Sequence, residues 1–354
     1  MPWAAALEAK YKDLAASSVE GRTAVDLLQT GLAPNTATSY DSKLAKFLFY
    51  CDSAGLSAMP ASQSTVLRYI GHMAREGTVH VDNVQPYLSC INTAHVSVGL
   101  DPPAIGPSVS QARKGWRQRL RHVGPIDDKR VPLPPGVMKL ILRLGNQLVR
   151  KGDYKHDAAA YGLLRDVVAV ITTYLFFGRS DTGFAARNDG FPDVQIHGTD
   201  LMFYMRNVKG TAVGERKKTL VYPLEGAGKR TLVRVLSTFL RSAPCTKGDL
   251  WRLPQDGNTW NATVIDSMLT RLLTKLNISP PEGYTYSSHS LRSGAASAAF
   301  AVGVDITRIC FCGGWAVGSH AVYRYIDLTW QESADADFFF GHLRHNRQQF
   351  LGNV

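Results

Sequence analysis

Apolar residues recur three and four apart through most of this chain, the spacing of one helix face, and alternate singly in only one region, the spacing of one strand face. An Ala-rich segment, WAAALEAKYKDLAASSVEGRTAVDLL, predicts a lead-in helix. Pro34 with Asn35 or Thr36 marks a helix start, and Tyr40, Leu44, Phe47 and Leu48 follow at helical spacing. Ser62–Arg75 and Asn83–Val98 predict two more helices, the second kinked or started late by Pro86. The run from Gly99 to Pro103 breaks the pattern, and Pro107 then opens VSQARKGWRQRLRH. That last helix carries Arg113, Lys114, Arg117, Arg119 and Arg121 with almost no acids. Such a run is either a solvated face or a row of phosphate contacts, and the shortage of acids favours phosphate.

A proline-rich, charged stretch from Gly124 to Gly136 reads as an extended connection. Beyond it, Val137–Leu148 and Ala158–Phe177 predict helices. The second is apolar around most of its circumference, as a buried helix is. From Val194 the alternation of VQIHG, DLMFYMRNV and KKTLVYPL predicts three short antiparallel strands, with turns at Gly198 and at Gly210–Gly214. Lys229–Ser242 and Trp260–Leu276 return to helical spacing. The fold class is mainly α with a small antiparallel β-sheet (α+β). It divides into a helical domain over 1–123, a linker over 124–136 and a mixed domain over 137–354.

The densest chemistry lies between His289 and Tyr325. His289 and Arg292 stand at i and i+3, so a helix puts them on one face within reach of one small ligand. Gly303 is placed to stop that helix, Asp305 to cap a second, Gly313 and Gly314 to end it before Trp315, and Ser319 to start a third. The third carries Tyr323 and Tyr325. Imidazole, guanidinium, indole and phenol together suit a phosphodiester. An arginine fork matches phosphate oxygens at two points and stays charged at any working pH. Imidazole and indole add donors for the charge that grows on those oxygens under attack. Tyrosine, with a pKa of about 10, becomes a nucleophile only where positive groups surround its target.

Charge narrows the partner. The 354 residues carry a net charge of +11, most of it beyond Lys129, which favours a polyanion. No apolar run reads as long enough to span a bilayer, and no basic-then-apolar leader is present at the start. The five cysteines are scattered and odd in number, which fits a reducing compartment better than a disulfide framework. Cys310 and Cys312 lack a second ligand pair, so no metal is expected.

His-x-x-Arg, then Gly-Trp, then Tyr-Ile resembles the signature of the tyrosine recombinases and phage-type integrases, the group that includes Cre. The resemblance spans roughly residues 30 to 345. It implies a two-domain DNA clamp, with a helical core-binding domain and a catalytic domain that needs no cofactor. It implies a nucleophilic tyrosine that forms a 3′-phosphotyrosyl bond. It also implies a duplex DNA partner and a homo-oligomer, dimeric on one site and tetrameric in synapsis. Arg179, in Gly178-Arg-Ser-Asp-Thr182, stands where the family has its first catalytic arginine, and Arg187 matches a further family arginine. The departure is Thr182, where a glutamate is usual; Asp181 stands next to it. Lys209 at a predicted β-turn matches the family's general acid, with Lys217 and Lys218 as rivals. His289, Arg292 and Trp315 match the remaining phosphate-holding positions. The usual family spacing from Trp315 falls on Arg324, between two tyrosines; Tyr325-Ile326 matches the family ending, and Tyr323 is the alternative. Thr36 and Tyr40 resemble the Thr-x-x-x-Tyr of the first core-binding helix.

A type IB topoisomerase would use the same chemistry but religate its own strand, and a relative without catalysis would bind DNA only. The compartment follows the host: cytoplasm or nucleoid for a phage or bacterial element, nucleus for a DIRS-like or Crypton-like element. The terminal cluster of Phe338, Phe339, Phe340 and Leu343 must be buried, either on its own domain or on a neighbouring protomer. Replacing Lys209 with alanine is expected to slow DNA cleavage. A substrate with a 5′-bridging sulfur, whose leaving group needs no proton, should recover most of the rate; an unrecovered rate removes Lys209 from the acid role.

Overall fold

A computed structural model describes residues 8, 10–32, 34–120, 130–178, 193–206, 216–224, 229–242, 250–251 and 262–344. The chain divides into two compact units, Met1–Asp127 and Asp128–Val354. Arg179, Arg187, Lys209, Arg121 and most of the connecting stretch lie outside the described residues.

The first unit is all helix. The lead-in segment forms two helices rather than one, α1 (Lys12–Ser17) and α2 (Val19–Thr30), because Ser18 is extended and caps the second. Then come α3 (Pro34–Ser53), α4 (Gln63–Glu76), α5 (Gln85–Ser97) and α6 (Pro107–Leu120). Ser62 caps α4 through its hydroxyl, and Gly77 ends it at φ +64°. Pro86 falls in the first turn of α5, where no intrahelical N–H is needed, so it starts that helix late and does not kink it. Phe47, Tyr69, Ile70, Leu88, Ile91 and Trp116 fill the core.

The second unit is built around α8 (Ala158–Leu175), whose residues from Leu164 onward are all buried. Asp157 caps its start. At 18 residues and a mean hydropathy of 1.3 it passes a length-and-composition test for a membrane span, which corrects the expectation that no run does. Two thirds of it is buried inside this unit, so it reads as the core helix. Around it pack α7 (Pro135–Lys151), α9 (Arg230–Ser242), α10 (Ala262–Lys275) and α11 (Ser288–Ala301). Asp166 on α8, 1% exposed, accepts from Arg165 and from Arg271 of α10, each at 2.8 Å. A buried carboxylate is tolerable only with such partners. The predicted strands form one antiparallel sheet in the order β1 (Val194–His197), β2 (Asp200–Arg206), β3 (Arg216–Pro223). Gly198, at φ +56°, makes the tight first turn.

The chain closes with α12 (Ile306–Gly313), a 3₁₀ turn over His320–Tyr325, α13 (Ala334–Phe340) and a last turn over Gly341–Arg344. Phe339 and Phe340 are fully buried against Tyr174 of the same unit, and the Tyr222 hydroxyl of β3 donates to the Phe339 carbonyl at 2.8 Å. The terminal cluster therefore docks on its own domain here.

That docking encloses His342 edge-on to Tyr222, ring centroids 4.6 Å apart, with its Nδ1 buried and unbonded. Burial, helped by the Lys229 and Arg308 cations, pushes its imidazole down to about 3. A depressed histidine binds its proton in the unfolded chain first. Stability is therefore complete above pH 6.5 and falls by about 1.4 kcal/mol per unit as pH drops toward 3. His342→Phe, which keeps a ring on Tyr222, should flatten that slope in urea unfolding measured across this range.

Candidate active site

The site is assembled on α11. Its first turn is tied from three sides: the Asp266 carboxylate of α10 accepts from the Ser288 N–H at 2.5 Å, the Ser290 hydroxyl accepts from the Ser287 N–H at 3.1 Å, and Leu133 N–H donates to the Ser290 carbonyl at 2.8 Å. An extended segment, 130–133, thus lies along the helix start. It comes so near that a Cβ on Gly294 would run into the Leu133 backbone. α11 carries both His289 and Arg292, as their spacing predicts.

Arg292 is 2% exposed, an expensive place for a charge. Two helix C-termini hold it. Its Nη1 donates to the Phe177 carbonyl at 2.5 Å, just past the end of α8, and its Nη2 to the Gly313 carbonyl at 2.6 Å, the last residue of α12. The negative ends of the helix dipoles add to both bonds. Each end is shaped by the same device. After α8, Gly178 N–H bonds to the Thr173 carbonyl and Phe177 N–H to the Tyr174 carbonyl, with Phe177 at φ +52°. After α12, Trp315 N–H bonds to the Cys310 carbonyl and Gly314 N–H to the Phe311 carbonyl, with Gly314 at φ +68°. These are Schellman ends, which favour glycine at the left-handed residue. Phenylalanine there costs about 1–3 kcal/mol. Phe177 compensates by packing its ring on Phe340, centroids 5.2 Å apart, while its carbonyl meets Arg292.

The second end also places Trp315. Its indole lies over the Arg292 guanidinium, 3.7 Å from carbon to ring centroid, a cation–π contact in a buried setting. Tyr325 completes the stack, 5.1 Å from Trp315 and 5.3 Å from Arg292. Tyr325 also lines a cleft of about 450 Å³ with Arg130, Pro132, His289, Ser293, Arg324, Ile326 and Asp327. Among the sequence-predicted residues, Tyr325 is thus common to two groups: the buried Arg292–Trp315 pair and the exposed His289 side. Arg292 itself does not line the cleft. Tyr323 stands apart, 50% exposed with its ring 6.2 Å from His320.

Arg130 and Ser293 are cleft residues that sequence spacing did not single out, and Arg324, on which the family spacing fell, lines the cleft beside Tyr325. Arg130 sits in the proline-rich stretch, and only the pairing of Val131 and Leu133 with residues 285–290 brings it here. In the first unit, a groove of about 370 Å³ is lined by Thr36, Ser39, Tyr40, Gln85, Pro86 and Ser89, so the two motif residues do share a surface. Of the basic helix, Arg117 is paired with Asp82 and Arg113 donates to Gln85, while Lys114 and Arg119 are exposed.

A helical unit followed by a helical unit with a three-stranded sheet, a buried arginine–tryptophan pair and a neighbouring tyrosine define the tyrosine-recombinase class of fold. A XerD integrase/recombinase homologue from Selenomonas ruminantium is 21% identical over 287 residues, covering 80% of this chain and 78% of that protein. The Tn1549 transposon integrase, solved with transposon right-end DNA, superposes with a TM-score of 0.51 at 13% identity over 94% of this chain and 97% of that one. XerA recombinase gives 0.37 at 14% identity, over 98% of this chain and all of that one. No protein-family profile matches. In sequence this chain is thus similar to a XerD-type recombinase, and in fold to the transposon integrase.

The Gly-Gly-Trp run has a physical reading here. Gly314 supplies the left-handed turn, and Gly313 leaves room for the Trp315 ring, which a Cβ would strike. Gly313→Ala should push the indole off Arg292 and lower stability by about 1–3 kcal/mol in chemical unfolding, whereas an alanine at the exposed helical Gly71, with open space around it, should not lower it.

Proposed function

We propose that this chain breaks and rejoins DNA strands through a covalent 3′-phosphotyrosyl intermediate on Tyr325. The observation that carries the reading is the meeting of Tyr325 with Arg292 and Trp315 on one side and with the His289 cleft on the other. In the proposed reaction the Tyr325 phenol oxygen attacks a backbone phosphorus, and the 5′ oxygen leaves as that bond forms. The phenol proton passes to solvent, and the leaving oxygen takes one from Lys209, as the resemblance implies, which Lys209 regains from solvent. A 5′ hydroxyl then attacks the phosphotyrosine and restores both the DNA bond and the phenol. Bond energy is conserved in the ester, so the cycle runs without a nucleotide cofactor.

Arg292, with Arg179 as the sequence implies, would hold the non-bridging oxygens, whose charge grows in the transition state. His289, at the cleft, would add a donor to the same phosphate. Trp315 keeps the Arg292 plane in place. Arg130 and Arg324 add positive charge to the cleft, as a polyanionic substrate needs. The exposed Lys114 and Arg119 of the first unit would contact the duplex elsewhere. Duplex DNA as partner is supported by the transposon integrase solved on DNA, and an assembly of several copies is expected because one copy offers one nucleophile.

The test begins with duplexes selected from random sequence by binding to the protein, then nicked so that the cleaved end diffuses away. The wild type should leave an SDS-resistant protein–DNA adduct that peptide mapping assigns to Tyr325. Tyr325→Phe should bind the same duplex and leave no adduct, whereas Tyr323→Phe should leave it intact. The reverse pattern would transfer the nucleophile to Tyr323.

A further inference from the structure

Ser297 is an odd residue in its place. It sits on α11 among Ala295, Ala296, Ala298 and Ala299, all fully buried, and is itself 0% exposed. An alanine would pack there equally well, and a buried hydroxyl without partners would be costly. Both of its bonding capacities go to one segment. The hydroxyl donates to the Tyr325 carbonyl at 3.2 Å and accepts from the Asp327 N–H at 2.9 Å. That segment needs them. The 3₁₀ turn ends with the Ile326 N–H on the Tyr323 carbonyl, and Ile326 is extended, so the Tyr325 carbonyl and the Asp327 N–H fall beyond the helical bonding pattern.

We infer that Ser297 is a positioning residue that fixes where the Tyr325 phenol stands relative to Arg292. This rests on the phosphotyrosine reading given above. α11 is one rigid helix, so the five residues from Arg292 to Ser297 set a constant rise of about 7.5 Å between the phosphate-holding group and the point where the nucleophile's backbone is pinned. The tyrosine is carried by a short turn after a loop, an arrangement that by itself leaves the phenol free to shift. One buried hydroxyl converts that loose turn into an extension of α11. Ser297 touches no substrate; it acts through the Tyr325 peptide.

The experiment uses the full chain and the nicked duplex selected by the wild type. Single-turnover adduct rate at saturating protein, duplex affinity and melting temperature are read for Ser297→Ala and Ser297→Thr. A nucleophile misplaced by a fraction of an ångström to an ångström loses rate rather than binding. Ser297→Ala should therefore form adduct about 10- to 100-fold more slowly with unchanged affinity. Ser297→Thr keeps the hydroxyl and should recover most of that rate. Should Ser297→Ala not fold, Ser297→Cys, with a weaker donor of similar size, is measured in its place and should be slow. An alanine or cysteine variant as fast as the wild type overturns the positioning role alone. Alanine and threonine variants equally slow, both with lowered melting temperature, overturn it in favour of simple packing. Absence of an adduct from the wild type overturns the phosphotyrosine reading and this inference with it.

Discussion

A guanidinium buried to 2% exposure between the carboxyl ends of two helices is the constraint from which the rest of the second unit follows. Leaving Arg292 without partners would cost several kcal/mol, so the fold must bring two carbonyls and a ring face to it. That requirement accounts for features that look unrelated. It accounts for a phenylalanine in a left-handed conformation after the core helix, where glycine would be easier. It accounts for two adjacent glycines, one for the turn and one for the ring beside it. It also accounts for the tryptophan that follows them, whose N–H closes one helix while its indole covers the arginine.

The buried arginine also orders the elements around it. α8 and α12 must end at the same point, which fixes how each packs on α11. α11 then carries His289 to the cleft at its start and Ser297 to the tyrosine turn further along. Arg292 is therefore as much a structural centre as a chemical one. Its bonds to two carbonyls hold the guanidinium against the Trp315 and Tyr325 rings. The terminal segment closes the far side of the same core, since Phe340 packs on Phe177 and Phe339 is held by Tyr222.

Much of this was legible in the residues. Periodicity gave the helices and the three strands because burial on one face writes its own spacing into the chain. Capping was readable where side chains do it, as at Asp305 and Ser319. Pro86 left two readings open, and packing settled it as a late start. The apolar run of α8 reached the length of a membrane span, and only its burial inside the unit marks it as core. Arg130 was invisible because a backbone pairing, not its own neighbours in sequence, carries it to the cleft.

The sequence by itself determined the class of fold, the order of the elements and a short roster of chemical groups, because periodicity, caps and residue chemistry are local. Of two tyrosines two residues apart it favoured Tyr325, through the Tyr325-Ile326 ending, and kept Tyr323 as the alternative. Tertiary structure sets the two apart: Tyr325 faces Arg292 and Trp315 while Tyr323 faces solvent and His320. The reason is physical. Which phenol turns inward depends on where α11 presents Ser297 and Arg292, and that is a property of packed helices that no single segment contains.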